Sequence, residues 1–335
     1  MRTLVTGAAG FIGMHVSEQL LSMGYEVVGL DNLNDYYDVA LKEARLARLQ
    51  TQARFSFHRV DLADDAAMRE LFDRGGFQHV VHLGAQAGVR YSLTHPHVYV
   101  DSNVRGTVNV LEGCRARQIE HLVFVSTSSV YGLNARMPYS PDHGVDHPVS
   151  LYASTKRAGE LFAHNYAELF GLPVTALRFF TVYGPWGRPD MSPMIFARKI
   201  LAGEPIEVFN YGRHRRDFTF IDDIVEGVVR VLEKPPVANP AWDATVANPA
   251  SSRAPFRICN IGNSEPVELL YFIELLERAL GCEARKTLLP MQPGDVENTY
   301  ADMSHLEALV GYRPRVSIEE GVQRFVDWYR PRYAA

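Results

Sequence analysis

Tyr152 and Lys156 stand four residues apart, and a hydroxyl-rich run, Ser126-Thr127-Ser128-Ser129, lies about twenty residues upstream. On a helix, residues at this spacing share a face, roughly 6 Å apart along the axis. An ammonium group held there stabilises a phenolate, so the pattern can make a tyrosine into a base. Free tyrosine has a pKa of about 10, and bringing it near 7 takes about 4 kcal/mol. One positive charge at about 5 Å, with an effective dielectric near 20, supplies about 3 kcal/mol. The spacing recurs by chance on many helices, so the reading depends on a second, cation-bearing group supplied by the rest of the chain.

The first thirty residues predict such a group. Arg2-Thr3-Leu4-Val5-Thr6 reads as a short buried strand opening into Gly7-Ala8-Ala9-Gly10-Phe11-Ile12-Gly13, after which Ile12, Val16, Leu20 and Leu21 recur at helical spacing. A second strand, Tyr25 to Leu30, ends in Asp31. Glycines allow the tight strand-to-helix turn and let the backbone approach a pyrophosphate seated on the helix N-terminus. Asp31 falls where a carboxylate accepts both ribose hydroxyls and repels a 2′-phosphate, which favours NAD over NADP.

The elements that must position these groups alternate. Strand-like runs at 54–60, 79–83, 121–125 and 173–179 are separated by helical stretches, including long helices at about 99–117 and from Tyr152 to about Phe170. Such alternation predicts an α/β, doubly wound parallel sheet that binds ligands beyond the carboxyl ends of its strands. Past Thr181, proline and glycine become frequent and the strands shorten, which suggests a smaller mixed α/β lobe. The expected division is residues 1–180 and 181–335, with segments at about 215–255 returning to the first domain and 235–255 forming a surface loop. Basic residues gather at Arg213-His214-Arg215-Arg216, suited to a diphosphate.

The 335 residues, 47% of them hydrophobic, can bury a large core, and a net charge of −5 offers no nucleic-acid footprint. Cys114, Cys259 and Cys282 are far apart and form no metal or disulfide pattern. The chain enters its first strand at once and has no apolar stretch of the ~20 residues a membrane span needs. The expectation is a cytoplasmic protein with no membrane partner.

The chain resembles the extended short-chain dehydrogenase/reductases that act on nucleotide sugars, and within them the UDP-glucuronate 4-epimerases. The strings that carry the resemblance are Asp31–Asp38, His82–Ser92, Arg178–Met191 and Met291–Val296. It implies that Tyr152 is the catalytic base, that Lys156 binds the nicotinamide ribose and tunes Tyr152, and that Thr127 is the hydroxyl shared by substrate and base. Tyr131 is a decoy without a lysine four residues on. The implied NAD set comprises Gly7, Gly10, Phe11, Ile12, Gly13, Asp31 and Asn32. It continues with Asp61 and Leu62 at the adenine, Leu83, Gly84 and Ala85 at the ribose, and Asn103 facing the nicotinamide end. Gly84 stands where relatives usually have alanine. For the UDP-sugar, Arg216 matches a diphosphate-binding arginine and Asp295 falls in the segment over the UDP ribose. Gln292 replaces a second arginine, so Arg188 or Arg213 is expected to share the diphosphate charge.

The implied reaction passes through a 4-keto sugar, with NAD reduced and reoxidised each turnover. For a uronic acid that intermediate is a β-keto acid, which loses carbon dioxide if its carboxylate bond aligns with the carbonyl π system. Ser128, Ser129 and Thr181 are expected to grip the carboxylate, with Arg90 and Arg188 as further candidates. Decarboxylases of the family carry glutamate after the serine run and asparagine at the Thr181 position, and UDP-glucose 4-epimerases tend to have that asparagine. This chain has Val130 and Thr181. A NAD-sensing binding protein, the non-enzymatic alternative, would be expected to lose Tyr152 or Lys156. The resemblance also implies a homodimer through the helices at 99–117 and 153–170, with Val104, Val108, Leu111, Leu161 and Phe162 as contact candidates.

Overall fold

Short apolar runs alternate with amphipathic stretches, and each adopts the form its period dictates. The computed structural model describes residues 1–333 except 247 and 293; Ala247 of the surface loop and Pro293 of the Met291–Val296 string lie outside the described residues. The first half runs β1 (Arg2–Thr6), α1 (Phe11–Ser22), β2 (Glu26–Asp31), α2 (Val39–Gln50), β3 (Phe55–Arg59), α3 (Asp65–Gly75) and β4 (His79–His82). Two single turns, α4 (Tyr91–Thr94) and α5 (Pro96–Tyr99), then lead through a π-helical turn at Val100–Arg105 into α6 (Gly106–Ala116). The half closes with β5 (His121–Thr127), α7 (Leu151–Phe170) and β6 (Val174–Phe179).

The second half carries β7 (Thr181–Tyr183), α8 (Ser192–Leu201), β8 (Ile206–Val208), β9 (Arg215–Phe220) and α9 (Ile221–Leu232). After these come β10 (Phe256–Ile261), β11 (Pro266–Glu268), α10 (Leu269–Leu280), β12 (Lys286–Leu288), α11 (Ser304–Val310) and α12 (Ile318–Tyr333).

Seven strands form one parallel sheet in the order β10-β6-β5-β4-β1-β2-β3, the Rossmann-type arrangement expected from the alternation. Alternate residues of the central strands feed opposite layers, as a pleated strand requires. Val5, Val81, Val123 and Leu177 pack with Val16 and Leu20 of α1 and Ile224 and Val228 of α9. Leu4, Val80, Leu122 and Val174 pack with Phe72 of α3, Val110 of α6 and Ala163 of α7. The edge strand β10 comes from residues beyond the 215–255 range expected to return, while α9 within that range covers α1 and β5. Two small sheets, β11-β9-β7 and β12-β8, are built from strands of the second half of the chain.

The chain leaves β1 toward β2 on one side and returns to β4 on the other, so the loops after β1 and β4 diverge and open a cleft. Gly7 sits at that point with φ +72°, and a Cβ there would meet the backbone of Gly84 at 2.8 Å. A Cβ on Gly13 would strike the Gly7 carbonyl oxygen at 2.0 Å, so α1 approaches the loop as closely as its backbone permits. Among the described residues, no helix is long and apolar enough to cross a membrane.

Candidate active site

The residues that could hold a dinucleotide converge at the mouth of this cleft. Gly7, Gly10, Asp31, Asn32, Asp61, Leu62, Leu83, Gly84 and Ala85 line one cavity, joined by Asn34, Tyr36 and Tyr37 of the Asp31–Asp38 string and by Lys42 and Ser102, which the sequence does not single out. Asp31 ends β2, and burial pushes its carboxyl above the usual range against the backbone N–H of Leu33 and the charges of Lys42 and Arg45. The Leu33 N–H donates to Asp31 Oδ1 at 2.9 Å, and Asn32 Nδ2 donates to Asp61 Oδ2 at 2.8 Å. The two acids therefore stand side by side at the strand ends. These features fit the adenosine half of NAD: a glycine cradle that any Cβ would fill, a helix N-terminus without a side-chain cap, and carboxylates for ribose hydroxyls.

A second cavity, about 290 Å³, adjoins the first beyond Gly7, Ala85 and Arg188. Phe11, Ile12, Gly13, Thr127, Ser128, Ser129, Tyr152, Lys156 and Thr181 all line it. β5 delivers the hydroxyl run at its carboxyl end, and α7 opens immediately beside it, capped by Ser150, whose Oγ accepts from the Ala153 N–H at 3.2 Å. The cap places Tyr152 and Lys156 in the first two turns. Thr127 Oγ1 accepts from the Ser129 N–H at 3.2 Å and donates to Ser129 Oγ at 3.2 Å.

The electrostatics at Tyr152 agree with the expectation that Lys156 by itself does not bring the phenol down. Burial pushes the Tyr152 phenol above its ordinary value, and the opposing pull comes from the Arg188 guanidinium and the Thr127 hydroxyl. Lys156 Nζ lies 4.6 Å from the Phe124 ring centroid, and burial lowers its ammonium to about 8 against the charge of Glu160. At Tyr152 desolvation thus outweighs the Arg188 guanidinium and the Thr127 hydroxyl. A cation beside the phenol, as the sequence expects of a nicotinamide, would favour the phenolate.

A third cavity, about 700 Å³, continues outward through Thr181 and Met191 and is lined by Arg90, Tyr91, Lys199, Phe209, His214, Arg216 and Asp295. Arg90 Nη2 reaches Asp295 Oδ2 at 3.4 Å and its guanidinium lies 4.8 Å from the Phe209 ring centroid. Arg216 donates to the carbonyls of Val296 at 2.6 Å and Glu297 at 2.7 Å, so its fork secures the segment that carries Asp295. Its neighbour Asp217 is buried and accepts from the backbone N–H groups of Asn263, Ser264 and Ala301, which ties β9 to the same region. Arg188 belongs to both inner cavities; its Nε and Nη2 bind Asp190 at 3.0 and 2.5 Å, and Tyr36 donates to the same carboxylate at 3.0 Å.

The model of the NAD dependent epimerase/dehydratase family matches residues 3–242. The chain belongs to this family. Over 334 residues it is 48% identical to a probable UDP-glucuronate 4-epimerase of Rhizobium meliloti, covering 99% of this chain and 98% of that one. UDP-glucuronate 4-epimerase 4 of Arabidopsis thaliana is 45% identical over 99% of this chain and 76% of its own length. The crystal structure of UDP-glucuronic acid 4-epimerase from Bacillus cereus, in complex with UDP-glucuronic acid and NAD, superposes with a TM-score of 0.86 at 34% identity, covering 99% of each chain.

Two members of the expected epimerase site do not line these cavities. Asn103 is buried in the π-helical turn, where its Oδ1 accepts from the Gln86 N–H at 2.8 Å and its Nδ2 donates to the Gln86 carbonyl and Thr155 Oγ1, each at 3.0 Å. With these amide bonds made, it clamps the loop after β4 to α7 between Tyr152 and Lys156. Arg213 is exposed ahead of β9, whereas His214 and Arg216 turn inward. The decoy Tyr131 is buried behind the site, donating to Asn260 Oδ1 at 2.7 Å with Arg178 4.9 Å from its ring centroid.

Proposed function

We propose that the protein catalyses the reversible 4-epimerisation of UDP-glucuronate to UDP-galacturonate, with NAD bound tightly and recycled. The observation that carries this reading is the continuous passage from Asp31 through Tyr152 to Arg216, with three hydroxyl side chains, Ser128, Ser129 and Thr181, and one guanidinium, Arg188, at its junction. Relatives and structural neighbours named for UDP-glucuronate and NAD support the same substrate and cofactor.

NAD would lie along Gly7, Gly10, Asp31, Asp61 and Gly84 toward Lys156; when bound it supplies a hydride acceptor, then a donor, and a cation near the phenol. Tyr152 removes the proton from the sugar's 4-hydroxyl and returns it after the 4-keto sugar has turned over. Thr127 holds that hydroxyl in line with the phenolate. Arg216, Arg90 and Asp295 anchor the UDP end while the sugar rotates. Ser128, Ser129 and Thr181 hold the carboxylate out of alignment with the 4-keto carbonyl, a matter of orientation. Thr181 in place of asparagine, and Val130 in place of glutamate, set the chain apart from the decarboxylase and UDP-glucose epimerase readings. The same proposal includes a homodimer. Leu93, Val98 and Val100 lie exposed around α4, α5 and the π-helical turn, and Leu161, 53% exposed, lies on α7, which packs against them. Leu111, an expected contact, is fully buried by the protomer's own core.

The test is incubation of the purified protein with UDP-glucuronate and no added NAD. UDP-galacturonate should appear without stoichiometric NADH or carbon dioxide. A UDP-pentose, or a strict need for stoichiometric NAD, would overturn the reading.

A further inference from the structure

Arg45 stands on α2, outside the expected catalytic, cofactor and substrate sets, and its side chain is fully buried. Among the described residues it makes no ion pair; its two terminal nitrogens donate to three carbonyls and one phenol, while Nε is buried without a hydrogen-bond partner. A position that only needed filling would be met by methionine without the desolvation of a charge. Its two terminal nitrogens point in two functional directions. Nη1 donates to the Ala9 carbonyl in the glycine loop at 3.3 Å and to the Tyr37 hydroxyl of the cofactor cleft at 2.7 Å. Nη2 donates to the carbonyls of Trp186 at 2.6 Å and Gly187 at 3.1 Å.

The turn it holds is strained. Trp186 has φ +64°, in the left-handed region that a bulky side chain adopts only where its surroundings impose it. Its ring is packed by Arg48 at 5.4 Å, Arg332 at 5.2 Å and Trp328 at 5.5 Å. Arg188 follows two residues later, lining both the cofactor cleft and the cavity that contains Tyr152. We propose that Arg45 is a positioning residue for Arg188: its fork imposes the Trp186–Gly187 turn that places Arg188 between the two cavities, and its grip on Ala9 and Tyr37 ties that placement to the cofactor-binding loop. The role assigned to Arg188 rests on the function proposed above; the clamp itself does not.

The test uses Arg45→Lys and Arg45→Met in the full chain as purified. Backbone hydrogen exchange reads the turn directly, because the Gly187 N–H donates to Gly184 and the Met191 N–H to Arg188. Both amides should exchange at least tenfold faster in each variant, with β1 and α7 unchanged; unaltered exchange at the turn overturns the proposal. In turnover, Arg45→Met should lower kcat about tenfold and move the acid limb of its pH profile upward, as Arg188→Met should also do. The double variant Arg45→Met/Arg188→Met should be no slower than Arg188→Met, since two residues acting through one contact do not add. Multiplying losses, or full rescue by Arg45→Lys, would overturn it, the latter by showing that the charge suffices without the fork. If Arg45→Met does not fold, Arg45→Lys carries the exchange and kinetic arms. A parent inactive on UDP-glucuronate would sink the function but leave the exchange result decisive for Arg45.

Discussion

At Tyr152, burial raises the phenol while the Arg188 guanidinium and the Thr127 hydroxyl oppose it. Tyr152→Phe keeps the ring and loses the proton acceptor, so epimerisation should disappear while UDP-sugar binding, read by calorimetry, stays nearly intact; near-normal turnover would sink the assignment of the base. The carboxylate grip admits a finer test. Tyr152, Thr127 and NAD suffice for oxidation, so removing a gripping hydroxyl leaves the 4-keto acid forming but less well oriented. A hydrogen bond to a charged group is worth about 1.5–3 kcal/mol, and about 1.4 kcal/mol is a factor of ten in rate. Thr181→Ala or Ser128→Ala should therefore release roughly ten- to a hundredfold more carbon dioxide per epimerisation event than the parent. An unchanged ratio in both would move the grip to Arg90 and Arg188.

The element that matters most to this geometry is α7, locked to the sheet at its carboxyl-end side by a buried ion pair. Arg178 of β6 binds Glu160 with Nε and Nη2, both at 2.9 Å, and Ser126 donates to the same carboxylate at 2.6 Å. Burial alone would raise the Glu160 carboxyl; Arg178, Ser126 and Arg157 hold it below its usual value. A depressed carboxylate contributes stability above its unfolded pKa, about 4.3, that is lost as pH falls through the folded value. Glu160→Gln leaves Arg178 buried without its charge partner and should cost about 3–5 kcal/mol in urea unfolding, with a shallower loss of stability in acid. The glycine loop, Asp31 and the Tyr152–Lys156 pair were legible because each is a local spacing pattern on one element. Asn103 was not, because its meaning lies in partners 17 and 52 residues away, Gln86 and Thr155. Arg45 reads as one more polar residue on an amphipathic helix, and its four acceptors come from three separate loops. The choice between Arg188 and Arg213 turned on which of them faces the cavity, and a basic cluster does not encode that in composition.

For the whole molecule, two buried imidazoles, His82 and His121, set a pH dependence of folding. Burial lowers each to about 3, against about 6.5 when unfolded. The unfolded chain binds more protons between those values, so stability should rise with pH across the window and level off above it. Each histidine contributes about 1.4 kcal/mol per pH unit there. His121→Gln should flatten the slope at pH 5 by that amount in equilibrium unfolding, and an identical slope would count against the neutral imidazole. Light scattering should give a dimer mass at micromolar concentration, and Leu161→Glu should shift it toward the monomer; a monomeric parent would refute the dimer. The position of β10 carries a consequence for biosynthesis. Its backbone pairs with β6 from residues 256–261, and α9 from 221–232 shields α1 and β5. A nascent chain therefore leaves the ribosome with its parallel sheet incomplete: until α9 has emerged part of the face it covers is open, and until about residue 261 β6 is a bare edge strand. Exposed edges of this kind template wrong pairings, and sheet contacts so distant in sequence close slowly. A message truncated after residue 180 would yield an aggregation-prone fragment rather than a working cofactor module, and synthesis of the last third of the chain is what ends that exposure.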